Sequence, residues 1–89
     1  MEIFMKLHEE NAKQIKIMRK NFKLLREKKG WSIDELSRIS RIDGKVLLDI
    51  ESEEDFELVF LFTLCRIYDI KPHEVFLPVD IGKLQKNNI

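Results

Sequence analysis

Hydrophobic side chains recur at helical spacing along most of this chain. One face of a first predicted helix is apolar at steps of three and four residues, with Ile15, Met18, Phe22 and Leu25. Such steps match a helix with 3.6 residues per turn. Gly30 follows the stripe and suits a C-terminal cap. The pattern therefore predicts a helix that ends just before Gly30.

Two short helices are predicted next. The sequence SIDE, residues 32–35, has the form of a capping box, in which a serine and a glutamate three residues later satisfy the first amides of a helix. Asp43 can cap the following helix, which we expect to end near Ser52. The residues expected to face the core are Leu36, Ile39, Val46, Leu47 and Ile50. These helices would be joined by a turn around residues 40–42.

A fourth helix follows, for which Asp55 is the expected cap. Its expected apolar face consists of Leu58, Leu61, Phe62, Cys65 and Tyr68. Pro72 suits the first position of a last helical turn. No strand pattern competes before Leu77, so the chain is predicted to be all-α.

The N-terminal segment has two open interpretations. Phe4, Leu7 and Asn11 continue the apolar stripe of the first helix backwards. A helix over residues 2–28 would be roughly 40 Å long and would need a partner, such as a second copy with Asn11 fixing the register. The alternative is a frayed leader.

The predicted organisation has three parts. Residues 1–17 form an N-terminal extension of helix 1 and a possible dimer contact, residues 18–77 a single domain, and residues 78–89 a tail. With 44% hydrophobic and 36% charged residues, the 89-residue chain can form one core only. Around the tail, Leu77, Val79, Ile81 and Leu84 could pack at a dimer interface or fray.

Charge is balanced overall but unevenly distributed. Sixteen basic residues match sixteen acidic ones. Residues 11–29 contain eight basic residues against Glu27 alone, and residues 34–57 contain nine acidic against three basic residues. On the first helix, Lys16, Arg19, Lys20 and Lys23 are expected on the side away from the apolar stripe. They could follow a nucleic-acid backbone or form a solvated face.

Little in the sequence points to catalysis. The two histidines, His8 and His73, lie far apart, and Cys65 is the only cysteine. There is no clustered metal set, no nucleophile and base pair, and no phosphate loop. We therefore expect a protein that is not an enzyme, with no cofactor, no metal and no small-molecule substrate. The lone cysteine favours a reducing, cytoplasmic setting, and no run reaches the ~20 apolar residues of a membrane span.

Residues 18–76 resemble the phage-repressor/Cro-type helix-turn-helix family, also called XRE-like. FKLLREKKGWS, residues 22–32, has the family's pattern of an apolar residue, Leu-Arg, and Gly-apolar-Ser before helix 2. DELSRISRID resembles helix 2 and its turn, VLLDIE helix 3, and LFTLCRIYDIKPHEVF the closing helix and Pro-started turn. The resemblance implies a five-helix lambda-repressor-like domain that regulates transcription, binding double-stranded DNA as a homodimer.

The resemblance also implies roles for individual residues. An arginine late in helix 1 commonly bonds a glutamate at the end of helix 3, and Arg26 and Glu51 occupy those positions. The outward positions of the recognition helix fall on Asp43, Gly44, Lys45, Leu48 and Asp49. The candidate DNA-binding residues are Ser32, Arg38, Arg41, Gly44, Lys45, Leu48 and Asp49.

Several positions depart from the family pattern. Ile33 stands where the family often has a phosphate-binding glutamine, and the loop SEEDFE, residues 52–57, is acidic. Carboxylates repel the phosphate backbone. Two functions follow: a sequence-specific DNA-binding regulator, or a degenerate helix-turn-helix module that binds a basic protein partner. Its acidic surface would consist of Asp49, Glu51, Glu53, Glu54, Asp55 and Glu57.

Overall fold

A computed structural model describes residues 11–78 of the chain. Four α-helices and one 3-10 helix follow one another: α1 Ala12–Lys29, α2 Ile33–Ser40, α3 Gly44–Glu51, α4 Leu58–Tyr68, and the 3-10 helix Pro72–Phe76. Residues 11–78 contain no strand, so the predicted all-α class is confirmed. The expectations for residues 1–10, and for Val79, Ile81 and Leu84, lie outside the described residues.

The apolar stripe of α1 is the centre of the core. Ile15, Met18, Phe22 and Leu25 are all buried, as their spacing predicts. Gly30 ends the helix in the left-handed conformation, with φ of 73°, and its N–H donates to Glu27 O at 3.0 Å. Glycine adopts this conformation without the steric cost that a side chain adds. Because Ile15 joins the core, the core includes a residue that was assigned to the predicted extension.

α3 and the 3-10 helix pack against α1, and α4 contributes to the same core. Leu47 and Ile50 of α3 and Leu61 and Leu64 of α4 are buried, and Val75 brings the 3-10 helix into the same core. Trp31 stacks on Tyr68 with ring centroids 6.0 Å apart, which fills the corner between α1 and α2. Buried Cys65 lies in the same core, and burial raises the pKa of its thiol to about 11. None of the described helices is both long and apolar enough to cross a membrane.

Three expectations for α2 and α4 were wrong. Ile39 and Phe62 are 48% and 46% exposed, whereas both were expected in the core. α4 begins after Glu57, which makes no side-chain cap, so Asp55 does not cap it. Because α4 is apolar on nearly every side, its sequence period does not reveal which side faces inward. Buried Leu64 occupies the core in addition to Leu61 and Cys65.

Candidate nucleic-acid interface

The N-terminus of α2 is closed by its own side chains. Ser32 Oγ accepts a hydrogen bond from Glu35 N at 3.0 Å, and Ser32 N donates to Glu35 Oε1 at 2.9 Å. This reciprocal pair is the capping box that the sequence predicts. The hydrogen bond from the Ser32 backbone lowers the pKa of Glu35 below its usual range, which keeps that carboxylate ionised. Glu35 and Asp34 both lie in the first turn of α2. Their carboxylates would repel a phosphate group that approached the backbone amides at this end of the helix.

The turn between α2 and α3 is tightly bonded. Arg41 has a φ of 62°, a left-handed conformation that is uncommon for a residue with a side chain. Ser37 Oγ donates to Ile42 O at 2.6 Å, Ile42 N donates to Ser40 Oγ at 3.1 Å, and the Ile42 side chain is buried. These contacts fix the angle at which α3 leaves α2. Asp43 then caps α3 through its carboxylate, which accepts from Lys45 N at 2.8 Å.

The outward side of α3 carries a paired lysine. Lys45 Nζ lies 2.7 Å from Asp49 Oδ1, four residues further along the helix. This hydrogen bond raises the pKa of the Lys45 ammonium, so the side chain stays charged. Leu48 is 53% exposed beside them. The outward side therefore presents a donor, an acceptor and an apolar group within one turn.

The inward side of α3 is held to α1 by Arg26. Its Nε lies 2.8 Å from Glu51 Oε2 and its Nη2 lies 2.9 Å from Glu51 Oε1, which makes the pair bidentate. Arg26 Nη1 also donates to Trp31 O at 2.8 Å. Hydrogen bonding to Glu51 raises the pKa of Arg26 despite the partial burial. One side chain thus joins the end of α1, the start of α2 and the end of α3.

Arg19 is a second link that the sequence did not reveal. The expectation that it lies on the solvated side of α1 was wrong, since only 5% of it is exposed. Arg19 Nη1 donates to Asp49 O at 2.7 Å and to Ile50 O at 3.0 Å, and Nη2 donates to Glu54 O at 2.9 Å. Two of these carbonyls belong to the last turn of α3, where helix carbonyls run out of helical donors, although Asp49 O also accepts from Ser52 N at 3.3 Å. Arg19 therefore caps the C-terminus of α3 and anchors the loop after it.

The environment of Arg19 balances burial against nearby acids. Its guanidinium carbon lies 5.6 Å from the centre of the Phe56 ring. Burial lowers the pKa of Arg19, while the carboxylates of Asp55 and Glu53 act in the opposite direction. The acids of residues 53–55 therefore surround a cation that belongs to the fold.

Asn21 is another buried polar residue on α1 that the sequence did not reveal. Its Nδ2 donates to Val75 O at 2.8 Å and to Leu77 O at 3.1 Å. These bonds fasten the 3-10 helix to α1. Their acceptors are backbone carbonyls 54 and 56 positions away along the chain, and a carbonyl is common to every residue, so no sequence pattern marks them.

Acidic and basic surfaces lie next to each other. Glu53, Glu54, Asp55 and Glu57 are exposed in the loop between α3 and α4. Four of the six exposed lysines of α1 lie on one side of the helix: Lys13, Lys16, Lys20 and Lys23. A recess of about 140 Å³ between Ala12, Lys16, Arg19 and Glu53 lies where the two surfaces meet. Any DNA that followed the lysines would therefore pass close to the acidic loop.

Most candidate residues are accessible. Exposed residues are Ser32, Arg38, Arg41, Lys45 and Leu48, while Gly44 and Asp49 are half-buried. All of them lie on α2, α3 or the residues that flank these two helices. Within residues 11–78, no group of three or more histidine, cysteine, aspartate or glutamate side chains is arranged to hold a metal ion.

Comparison of the chain with protein-family models, with curated proteins and with solved structures found no match.

Proposed function

We propose that this protein is a small, non-enzymatic DNA-binding regulator of transcription, with α2 and α3 as a helix-turn-helix in a lambda-repressor-like domain. In this proposal α3 enters the major groove of the duplex. The observation that carries it is the position of Arg26, which bonds Glu51 and the Trp31 carbonyl at once. That link supports α2 and α3 as one rigid unit and leaves Lys45 and Leu48 exposed on its outward side.

Phosphate contacts would come from around this unit. Arg38 near the end of α2 and Arg41 in the turn are exposed cations, and neither forms an ion pair with another described residue. The Ser32 hydroxyl at the start of α2 could also donate to a phosphate, against the repulsion from Asp34 and Glu35 in the first turn. The four lysines on the exposed side of α1 add a sequence-independent attraction, which favours association at low salt.

A homodimer is part of the proposal. Regulators of this kind bind two half-sites related by two-fold symmetry, one helical turn of DNA or a multiple of it apart. A single α3 of eight residues contacts too few base pairs to select one site in a genome. Sedimentation of the purified protein with and without a two-fold duplex tests this point.

Binding to a generic labelled duplex, followed by fluorescence anisotropy from about 20 to 200 mM salt, tests the function. We expect micromolar affinity at low salt that weakens steeply as salt rises, and further weakening in Lys45→Ala. Lys71→Ala is the matched control, because Lys71 is exposed but lies before the 3-10 helix and away from α3. An equal loss of duplex affinity in Lys45→Ala and Lys71→Ala would contradict the proposal that α3 enters the major groove.

A second candidate function rests on a specific observation, the neutralisation of Lys45 by Asp49 next to an acidic loop. This arrangement favours a module that binds a basic protein partner. Its surface would consist of Asp49, Glu53, Glu54, Asp55 and Glu57. Glu51 does not belong to it, because only 9% of its side chain is exposed and its carboxylate is bonded to Arg26. A folded protein that binds no duplex at about 20 mM salt would favour this function.

A further inference from the structure

We propose that the Lys45–Asp49 pair recognises one G·C base pair in the major groove and that Leu48 selects a thymine beside it. The inference rests on the proposed function, since it requires α3 to lie in the groove. It starts from an ion pair 2.7 Å long on the outward side of α3. Lys45 is 74% exposed in this pair, so its ammonium is available to a ligand.

The donors and acceptors of the pair match the edge of a G·C base pair. Guanine presents two adjacent acceptors, N7 and O6, and cytosine presents the N4 amino donor. An ammonium has three N–H groups, and Lys45 uses one of them on Asp49 Oδ1. The other two suit N7 and O6. The side chain of Asp49 is 19% exposed, and its Oδ2 accepts no hydrogen bond from any residue in the range 11–78, which leaves this oxygen for the cytosine amino group.

Asp49 gives the pair its selectivity. A carboxylate in the groove is repelled by the phosphates and loses water on binding, so it weakens binding wherever no amino group meets it. An A·T pair places its amino donor between two acceptors, an order that the ammonium and carboxylate together do not match. Asp49 therefore rejects incorrect base pairs more than it adds affinity to the correct one.

Leu48 extends the recognised sequence by one step. It lies between the two charged residues in sequence and is 53% exposed. An apolar side chain in the major groove contacts the thymine methyl group favourably and offers nothing to a cytosine. The preferred half-site therefore contains a G·C pair with an adjacent thymine.

Selection of bound duplexes from a random pool tests the inference. The wild type should enrich a G·C pair next to a thymine at a fixed position. Asp49→Ala should bind generic duplex at least as tightly as the wild type does. Its preference for the G·C pair should be about tenfold lower. Leu48→Ala should keep the preference for the G·C pair and lose the preference for the adjacent thymine. Asp34→Ala, which removes an exposed acid from α2, is the matched control and should leave the selected sequence unchanged.

The outcomes separate this inference from the proposed function. If every variant binds duplex and Asp49→Ala selects the same base pair as the wild type, the pair does not recognise that base pair, although DNA binding stands. The same holds if the wild type selects an A·T pair at that position. If the wild type and Asp49→Ala, both helical by circular dichroism, bind no duplex at about 20 mM salt, DNA binding and base recognition both fail.

Discussion

α3 carries two ion pairs of nearly equal length in different surroundings. The shortest distance is 2.8 Å between Arg26 and Glu51 and 2.7 Å between Lys45 and Asp49. The side chains of the first pair are 14% and 9% exposed, and those of the second are 74% and 19% exposed. Water screens an exposed pair strongly and a half-buried one much less. Distance alone therefore does not determine what each pair contributes.

The two ion pairs also differ in the number of hydrogen bonds that the basic residue makes. Arg26 binds both oxygens of Glu51 and a backbone carbonyl, so its position is fixed by three hydrogen bonds. Lys45 makes one hydrogen bond through a flexible side chain. The inward pair stabilises the packing of α1 against α3, while the outward pair can exchange water or a ligand at little loss. Burial thus separates a structural pair from an accessible one on a single helix.

Arg19→Met is expected to produce the largest effect on the inward side. The variant would remove the donors to Asp49 O, Ile50 O and Glu54 O while keeping much of the side-chain volume. We expect the free energy of unfolding to fall by about 3 kcal/mol, because two carbonyls at the end of α3 lose a charged donor. Urea unfolding followed by circular dichroism measures this.

The matched control is Arg66→Met, which changes an exposed arginine on α4. Its effect should stay within about 0.5 kcal/mol, as for ordinary surface substitutions. Equal destabilisation by the two variants would mean that the three bonds of Arg19 do not stabilise the fold.

Glu51→Ala should have the next largest effect. It leaves the half-buried guanidinium of Arg26 without its carboxylate, which should lower the free energy of unfolding by about 2 kcal/mol. Combining it with Arg26→Met completes a double-mutant cycle. The two effects should not add, because either change removes the same pair. Additive effects would show that the two residues act independently.

The contacts of Arg26 could be predicted from the sequence, whereas those of Arg19 could not, and the difference lies in their partners. Arg26 could be paired with Glu51 because both partners are side chains of specific types at positions that the resemblance to helix-turn-helix proteins suggested. Arg19 donates to backbone carbonyls, which every residue has, so its partners leave no trace in the sequence. Only the burial of Arg19, at an angle just beyond the apolar stripe of α1, distinguishes it from the exposed lysines.

The buried face of a helix could be predicted from the sequence where polar residues mark the edges of that face. α1 has lysines on one side, so its four stripe residues were assigned correctly. α4 has few polar residues, and Phe62 was assigned to the core although it is 46% exposed. For the candidate interface, the sequence provided the positions of Lys45 and Asp49 but not the bond between them, because rotamers depend on packing and solvent. The capping box at Ser32 was predictable because both its partners are local.

A smaller effect is expected at Gly44, the first residue of α3. A methyl group added there would lie 3.5 Å from Ile33 Cγ2, an ordinary contact between α3 and α2. Gly44→Ala should therefore raise the free energy of unfolding by about 0.5 kcal/mol, mainly by restricting the unfolded chain. Gly30→Ala is the opposite control and should destabilise, because Gly30 has a φ of 73°. Destabilisation by Gly44→Ala would mean that the start of α3 cannot accept a side chain.

The smallest effect on stability is expected from Lys45→Ala. Its single bond to Asp49 lies at the surface, where ion pairs contribute little once solvent screening and side-chain entropy are included. The urea midpoint should coincide with that of the wild type, while the affinity for duplex DNA falls. The backbone amide of residue 45 would still donate to Asp43, so the helix cap remains. A loss of stability as large as that of Glu51→Ala would contradict the view that exposure, rather than distance, separates the two pairs of α3.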